Sequence, residues 1–262
     1  MRTLKIKTFF IALLSATMLS SCLGDSETVD YPHYSSLVTI SGDAFFGYTF
    51  HSDFGCTLLP TQESINLVLP GLKNSSVKRA LISFDLVPET DNGKELKAGE
   101  TYTIALKATY GSNIAIPTYN TIDTYGNQTA SDSLTTKNGS INYIAENFTA
   151  INGYANAEMT IMYDYSKPFY MNTYFDSNND IDFENKTLYL NVYYNKNSSS
   201  TGQAAKSIFS FKLPEYAANQ FMMNGLNRND SINLVLKAIS GYDTQLKQVG
   251  SCKMAIKDFF EP

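Results

Sequence analysis

The sequence predicts an all-β protein in two parts, a small closed barrel of five strands followed by a β-sandwich. Apolar and polar residues alternate in short runs, which is the period of strands with one buried face. Clusters of Gly, Asn, Asp and Ser separate the runs, as turns require. Between Gly111 and Ser140 the apolar pattern fades into Asn, Thr, Ser, Asp and Gly, which places a boundary there. The expected division is residues 36–128 for the barrel and 129–262 for the sandwich.

In the first part, Val38 and Ile40 alternate with Thr39 and Ser41 before Gly42-Asp43 turns the chain into the run Phe45 to His51. A second turn, Ser52-Asp53-Phe54-Gly55, leads to Cys56–Leu59, and Ile65–Leu69 reads as the next strand. The strongest strand is Lys78–Val87, with Ala80, Ile82, Phe84 and Leu86 on one face and Arg79, Ser83 and Asp85 on the other. Glu89–Lys94 is a hairpin loop by its Asp-Asn-Gly content, and Tyr102, Ile104 and Leu106 mark the strand after it. About five strands in this length suit a closed barrel, which leaves no edge exposed.

In the second part, Met159, Ile161 and Tyr163 alternate with Glu158, Thr160 and Asp164. Leu188, Leu190, Val192 and Tyr194 do the same with Tyr189, Asn191 and Tyr193. Ile208–Leu213 and Ile232–Ile239 are further strands, the latter with Asn233 and Lys237 facing out, and Pro214–Met223 suits one short helix. Their number and spacing predict a sandwich of about six to eight strands.

Ahead of both parts, Met1–Ser21 has the three features of an export signal: a basic start (Arg2, Lys5, Lys7), an apolar run from Phe9 to Leu19, and two small residues before Cys22. That run is shorter than the roughly 20 residues a membrane-spanning helix needs. Leu19-Ser20-Ser21-Cys22 resembles the lipobox of bacterial lipoproteins. The resemblance implies that the Cys22 thiol takes a diacylglycerol, that the chain is cut before it, and that the new amine receives a palmitate-type acyl chain. Residues 22–35 then form an acylated tether. Leu23, where sorting to the inner membrane would want aspartate, implies the outer membrane; the periplasmic or surface face stays open.

Loss of the signal removes three bases and no acids, so the net charge falls from −5 to −8. That opposes nucleic acid as a partner, because phosphate binding needs clustered Lys and Arg. Cys56 and Cys252 remain after acylation of Cys22, and an oxidising compartment would permit a disulfide between them.

The order of features carries a further resemblance. A lipobox and acidic tether precede SGDAFFGYTFHSDFGCTLLP, KRALISFDL and TYTIALKATY, and INYIAENFTAINGYANAEMTIMYDYS leads into the sandwich. Together these are similar to the NigD-like family of outer-membrane lipoproteins. The resemblance implies an N-terminal OB-like barrel, a C-terminal β-sandwich, a role tied to bacteriocin immunity and no catalytic residues. Phe54 and Cys56 depart from the family's pattern, in which a small or acidic residue precedes the glycine, so the resemblance assigns them no role.

Catalytic and cofactor chemistry find little footing: there are two histidines, His33 and His51, with His33 in the tether, and no metalloprotease, nucleophile-elbow or phosphate-loop motif. Asp176, Asn178, Asp180 and Asp182 have the every-second-residue oxygen spacing of a calcium loop. Ile181 occupies the glycine position of such a loop and Thr187 that of its bidentate glutamate, which favours a solvated turn instead. Tyr170, Asn172 and Tyr174 share one strand face and form a candidate binding patch for a protein or a sugar. Asp132-Ser133-Leu134 and Asp230-Ser231-Ile232 resemble bacterial O-glycosylation sites, with Ser133 and Ser231 as acceptors. The expectation is a non-catalytic binding or accessory protein held to the membrane by its acyl chains; the alternative is a surface glycan-binding lipoprotein for nutrient capture.

Overall fold

The computed structural model describes residues 32–43, 47–68, 77–107, 114–127, 139–164, 166–197, 202–241 and 245–262. Cys22, the rest of the signal and Ser133 lie outside the described residues.

The barrel is built from β1 (Tyr34–Asp43), β2 (Gly47–Ser52), β3 (Thr57–Pro60), β4 (Arg79–Leu86) and β5 (Thr101–Leu106). The strand order is β1-β2-β3-β5-β4, and β1 pairs again with β4 to close the ring. The β3–β5 pair is parallel and the others are antiparallel. This is the Greek-key, OB-like ring, which hides its own edges. Every second side chain points inward, and Val38, Ile40, Phe50, Leu58, Ile82, Phe84, Ile104 and Leu106 fill the core. At the start of the β1–β2 connection Gly42 has φ +86°, and a Cβ there would stand 2.1 Å from the Gly47 carbonyl oxygen, so only glycine fits.

β1 begins at Tyr34, inside the segment expected to be tether, and pairs it with Phe84. Of the run expected as a strand at Ile65–Leu69, residues 65–68 are instead part of helix α1 (Gln62–Val68), between β3 and β4, and Leu69 lies outside the described residues. The Ser64 hydroxyl and Ile65 N–H donate back to the Thr61 carbonyl (2.9 and 3.2 Å), and Ile65 reaches the barrel core. A short apolar run looks alike in a strand and a helix. On β4 the opposite face, carrying Arg79, Ser83 and Asp85, is buried too.

A short strand, β6 (Ile114–Ile116), adds to β4 outside the ring. The chain then enters the sandwich through β7 (Thr118–Tyr119) and β8 (Thr121–Asp123). β7 joins one sheet and β8 the other, so this segment ties both together before the expected boundary at 128/129. The remaining strands are β9 (Tyr143–Ile151), β10 (Tyr154–Tyr163), β11 (Tyr170–Phe175), β12 (Ile181–Asp182), β13 (Thr187–Asn195), β14 (Gln203–Lys212), β15 (Ser231–Ala238) and β16 (Lys247–Ala255). One sheet runs β7-β14-β10-β9 and the other β16-β15-β13-β11-β8, with β12 paired to β13.

Met159, Ile161, Leu188, Leu190, Val192, Phe209, Phe211, Leu234 and Leu236 interdigitate between the sheets. Helix α2 (Glu215–Met223) closes one end with Ala217, Ala218 and Phe221, whose two small residues allow close approach. Asn152 and Gly153, both with positive φ, make the β9–β10 turn. His33–Pro262, barrel and sandwich together, form one compact unit.

Candidate functional site at the barrel–sandwich seam

The seam begins with the turn after β2. Asp53 N–H donates to the Leu37 carbonyl (3.0 Å), Phe54 N–H to Ser52 Oγ (3.1 Å) and Gly55 N–H to the Ser52 carbonyl (2.8 Å). Gly99 N–H donates to the Gly55 carbonyl (2.9 Å), pinning the turn to the loop before β5. With its main chain held from both sides, the turn presents Phe54 outward, 63% exposed.

Beside it, Asp53 points inward to Arg79, which is fully buried. Arg79 donates from Nη1 to Asp53 Oδ1 (2.8 Å) and Thr39 Oγ1 (2.7 Å). From Nη2 it donates to Asp53 Oδ2 (2.7 Å) and to Asn156 Oδ1 of the sandwich (3.0 Å). Its guanidinium also lies 5.5 Å from the centre of the Tyr154 ring. Asn156 Nδ2 completes the link by donating to Asp53 Oδ2 (3.2 Å), and Ser210 Oγ donates to Asn156 Oδ1 (2.7 Å). Burial pushes the Asp53 carboxyl above its ordinary value, while the hydrogen bonds and charge of Arg79 pull the other way. A planar guanidinium suits this place because one side chain reaches both bodies at fixed angles. The Asn152 amide extends the contact toward the His51 and Ser52 carbonyls, each at 3.4 Å.

Outside this weld is a hollow of about 720 Å³. Phe54, Gly55 and Gly99 form its barrel side; Asn152, Arg228, Lys257 and Phe260 stand on the sandwich side. Arg228 lies over the Phe260 ring at 5.1 Å. Tyr154 OH donates to Glu261 Oε1 (3.0 Å), which also pairs with Lys212 (3.2 Å). Burial and then Glu261 raise the Tyr154 hydroxyl far above its usual value, so it stays protonated. The wall offers two phenylalanines and an arginine, residue types enriched at protein interfaces, together with Lys257 and the acids Asp258 and Glu261.

Elsewhere, His51 Nε2 meets Ser41 Oγ at 3.0 Å across the β1–β2 pair. Burial lowers the imidazole's pKa, and among the described residues no carboxylate hydrogen-bonds the ring, so it lacks the orienting partner of a triad. His33, expected in a loose tether, is fastened: its N–H and Nδ1 contact Asp85 Oδ1 at 2.8 and 3.0 Å.

The expected tyrosine patch is not assembled. Tyr170 is 54% exposed and Asn172 partly so, but Tyr174 is 2% exposed. Its cross-strand partner Asn191 donates to Asp180 Oδ2 (3.1 Å), so the loop after β11 folds over that end of the face. The calcium candidates turn their oxygens to their own loop. Asp176 Oδ1 accepts from Asn178 N–H (2.9 Å) and Asp180 Oδ2 from Asp176 N–H (2.9 Å). Asp182 is held by the Asn185 N–H and amide (2.9 and 2.8 Å). No three His, Cys, Asp or Glu residues are placed to hold a metal among the described residues. Cys56 and Cys252 do not pair: Cys56 is packed in the barrel core and Cys252 against the sandwich core. Ser231 is exposed at the start of β15.

The sequence assigns no role to Phe54, and of Arg79 it gives only the strand face, opposite Ala80, Ile82, Phe84 and Leu86. The one available signal was an arginine in the strongest apolar strand.

No family model matches the sequence, and no curated protein does. Solved structures share the architecture. A protein described as toxin-related from Parabacteroides distasonis aligns with 86% of this chain and 94% of its own, at 14% identity and TM-score 0.57. A protein of unknown function from Bacteroides vulgatus aligns with 84% and 89%, at 15% identity and TM-score 0.55. A NigD-like immunity protein from Bacteroides caccae aligns with 82% and 90%, at 16% identity and TM-score 0.49. The first two alignments span both the barrel and the sandwich, and what this chain shares with those proteins is the fold.

Proposed function

We propose that the chain is a lipid-anchored outer-membrane protein that acts without catalysis, by binding a partner protein at the seam between barrel and sandwich. The observation that carries this reading is Phe54: a large aromatic ring held out to solvent by a turn whose N–H groups at Asp53, Phe54 and Gly55 are all hydrogen-bonded, above a hollow that carries Arg228 and Phe260. Exposed rigid aromatics beside arginine are the usual anchors of protein recognition. The anchoring rests on the lipobox sequence ending at Cys22. The NigD-like resemblance makes a bacteriocin-type protein the first partner to test. Burial of Tyr174 removes the specific support for the glycan alternative.

A photoreactive phenylalanine analogue at position 54 should give one discrete protein adduct in intact cells, and the same analogue at Gln248, on exposed β16, should not. Equal labelling from both sites, or none from position 54, would overturn the reading. Cys22→Ala should shift the protein from the membrane to the soluble fraction; unchanged fractionation would remove the anchor.

A further inference from the structure

We propose that the free edge of β14 is a strand-addition site for an extended segment of a partner polypeptide with apolar side chains at alternate positions. This surface is separate from the seam. In the sheet order β7-β14-β10-β9, β7 covers only Ser210 and Phe211 of β14. Ser210 N–H donates to the Pro117 carbonyl (3.2 Å), so at that residue the main chain faces away from β10. The β10–β14 register is unbroken from Tyr154↔Lys212 to Tyr163↔Gln203. The period of two therefore turns the N–H and C=O groups of Ala204, Lys206 and Ile208 outward as well. Among the described residues no strand meets them.

Proteins guard such edges with proline, bulges or charges. β14 contains no proline, and its pairing with β10 has no bulge. Lys206 is the one charge on the open half, and its ammonium is drawn into an ion pair with Glu158 of β10. On the core side of this edge lies a hollow of about 420 Å³ whose apolar lining is Tyr119, Tyr163, Pro168 and Phe169, with Asp164, Ser166 and Lys167 also bordering it. Tyr163 is the cross-strand partner of Gln203, and Tyr119 packs on Phe209 and Phe211 with ring centroids 6.1 and 5.9 Å apart. A strand laid beside Ala204–Ile208 sends every second side chain toward that hollow. Main-chain bonds would supply affinity, and the aromatic hollow would select an apolar residue. This argues for an extended polypeptide as occupant.

The probe is a phage-displayed library of random dodecapeptides panned against the full chain, with the enriched peptides then synthesised. Lys206→Pro removes one outward donor and no main-chain bond to β10, and the ion pair lost with Glu158 is on the surface, so the fold should persist. The selected peptides should lose at least tenfold in affinity for that variant. In the unaltered protein they should slow hydrogen exchange at Ala204, Lys206 and Ile208 at least tenfold, a readout independent of how the variant folds. Peptides that are indifferent to the proline, or that protect other amides, would overturn the proposal. So would amides at those three positions already as slow in the free protein as those bonded to β10, which would mean that the edge is occupied from within the chain. Protection that rises with protein concentration alone, together with a doubled mass, would assign the edge to a second copy and equally overturn it.

Discussion

Replacing Arg79 with methionine tests the weld between the two bodies. The substitution keeps most of the volume and removes four side-chain hydrogen bonds, to Thr39, both oxygens of Asp53 and Asn156. It also leaves the Asp53 carboxylate, largely buried, with only neutral amide donors, Asn156 at 3.2 Å and Asn152. Breaking a buried ion pair by removing one partner costs roughly 3–5 kcal/mol, chiefly through the uncompensated charge left behind. With a denaturant slope of about 2.5 kcal/mol per molar urea, suitable for a domain of this size, the unfolding midpoint should drop by about 1–2 M. The double variant Arg79→Met with Asp53→Leu removes the orphaned charge and should recover at least half of that loss. Urea unfolding of the parent, both single variants and the double variant completes the cycle. A double variant as unstable as Arg79→Met would refute the reasoning, since the cost would then lie in packing and not in the stranded carboxylate.

Two further outcomes follow from the same kind of reading. Burial alone would raise the Asp85 carboxyl, but the main-chain N–H and ring of His33 and the Lys107 ammonium at 3.1 Å hold it below its ordinary value. A carboxyl that binds its proton more weakly when folded contributes stability above its unfolded value of about 4 and loses it as pH falls through the lower folded value. Asp85→Asn should therefore lower stability at neutral pH and flatten the acid limb below about pH 4; acid limbs of equal slope would refute this. On β11, Tyr174→Ala should cost roughly 3–5 kcal/mol as a buried aromatic truncation, and Tyr170→Ala no more than about 0.5 kcal/mol. Thermal melts showing equal losses would contradict the burial difference between them.

How much was legible can be traced residue by residue. Val38, Ile40, Ile82, Phe84, Ile104 and Leu106 were readable as a barrel core because strand periodicity is a local property of the chain. The same holds for Leu188, Leu190, Val192 and Tyr194 in the sandwich. Asn152-Gly153 is the strongest hairpin signal in the second part, yet its contact with the His51 and Ser52 carbonyls is invisible locally. Ile65 was misread because a run that short has no period to measure, and the helix is set by the bonds back to Thr61.

The sequence by itself determined the all-β class, the two successive cores and the short helix after β14, since each is written in neighbouring residues. Only the tertiary structure decided that Arg79 is buried between the two bodies, that Phe54 stands exposed at their seam, that Tyr174 is covered, and that, among the described residues, half of one edge of β14 has no strand beside it. Those outcomes depend on which surfaces meet across long stretches of chain. Periodicity tells which face of a strand is polar; it carries no information about what, if anything, comes to rest against that face.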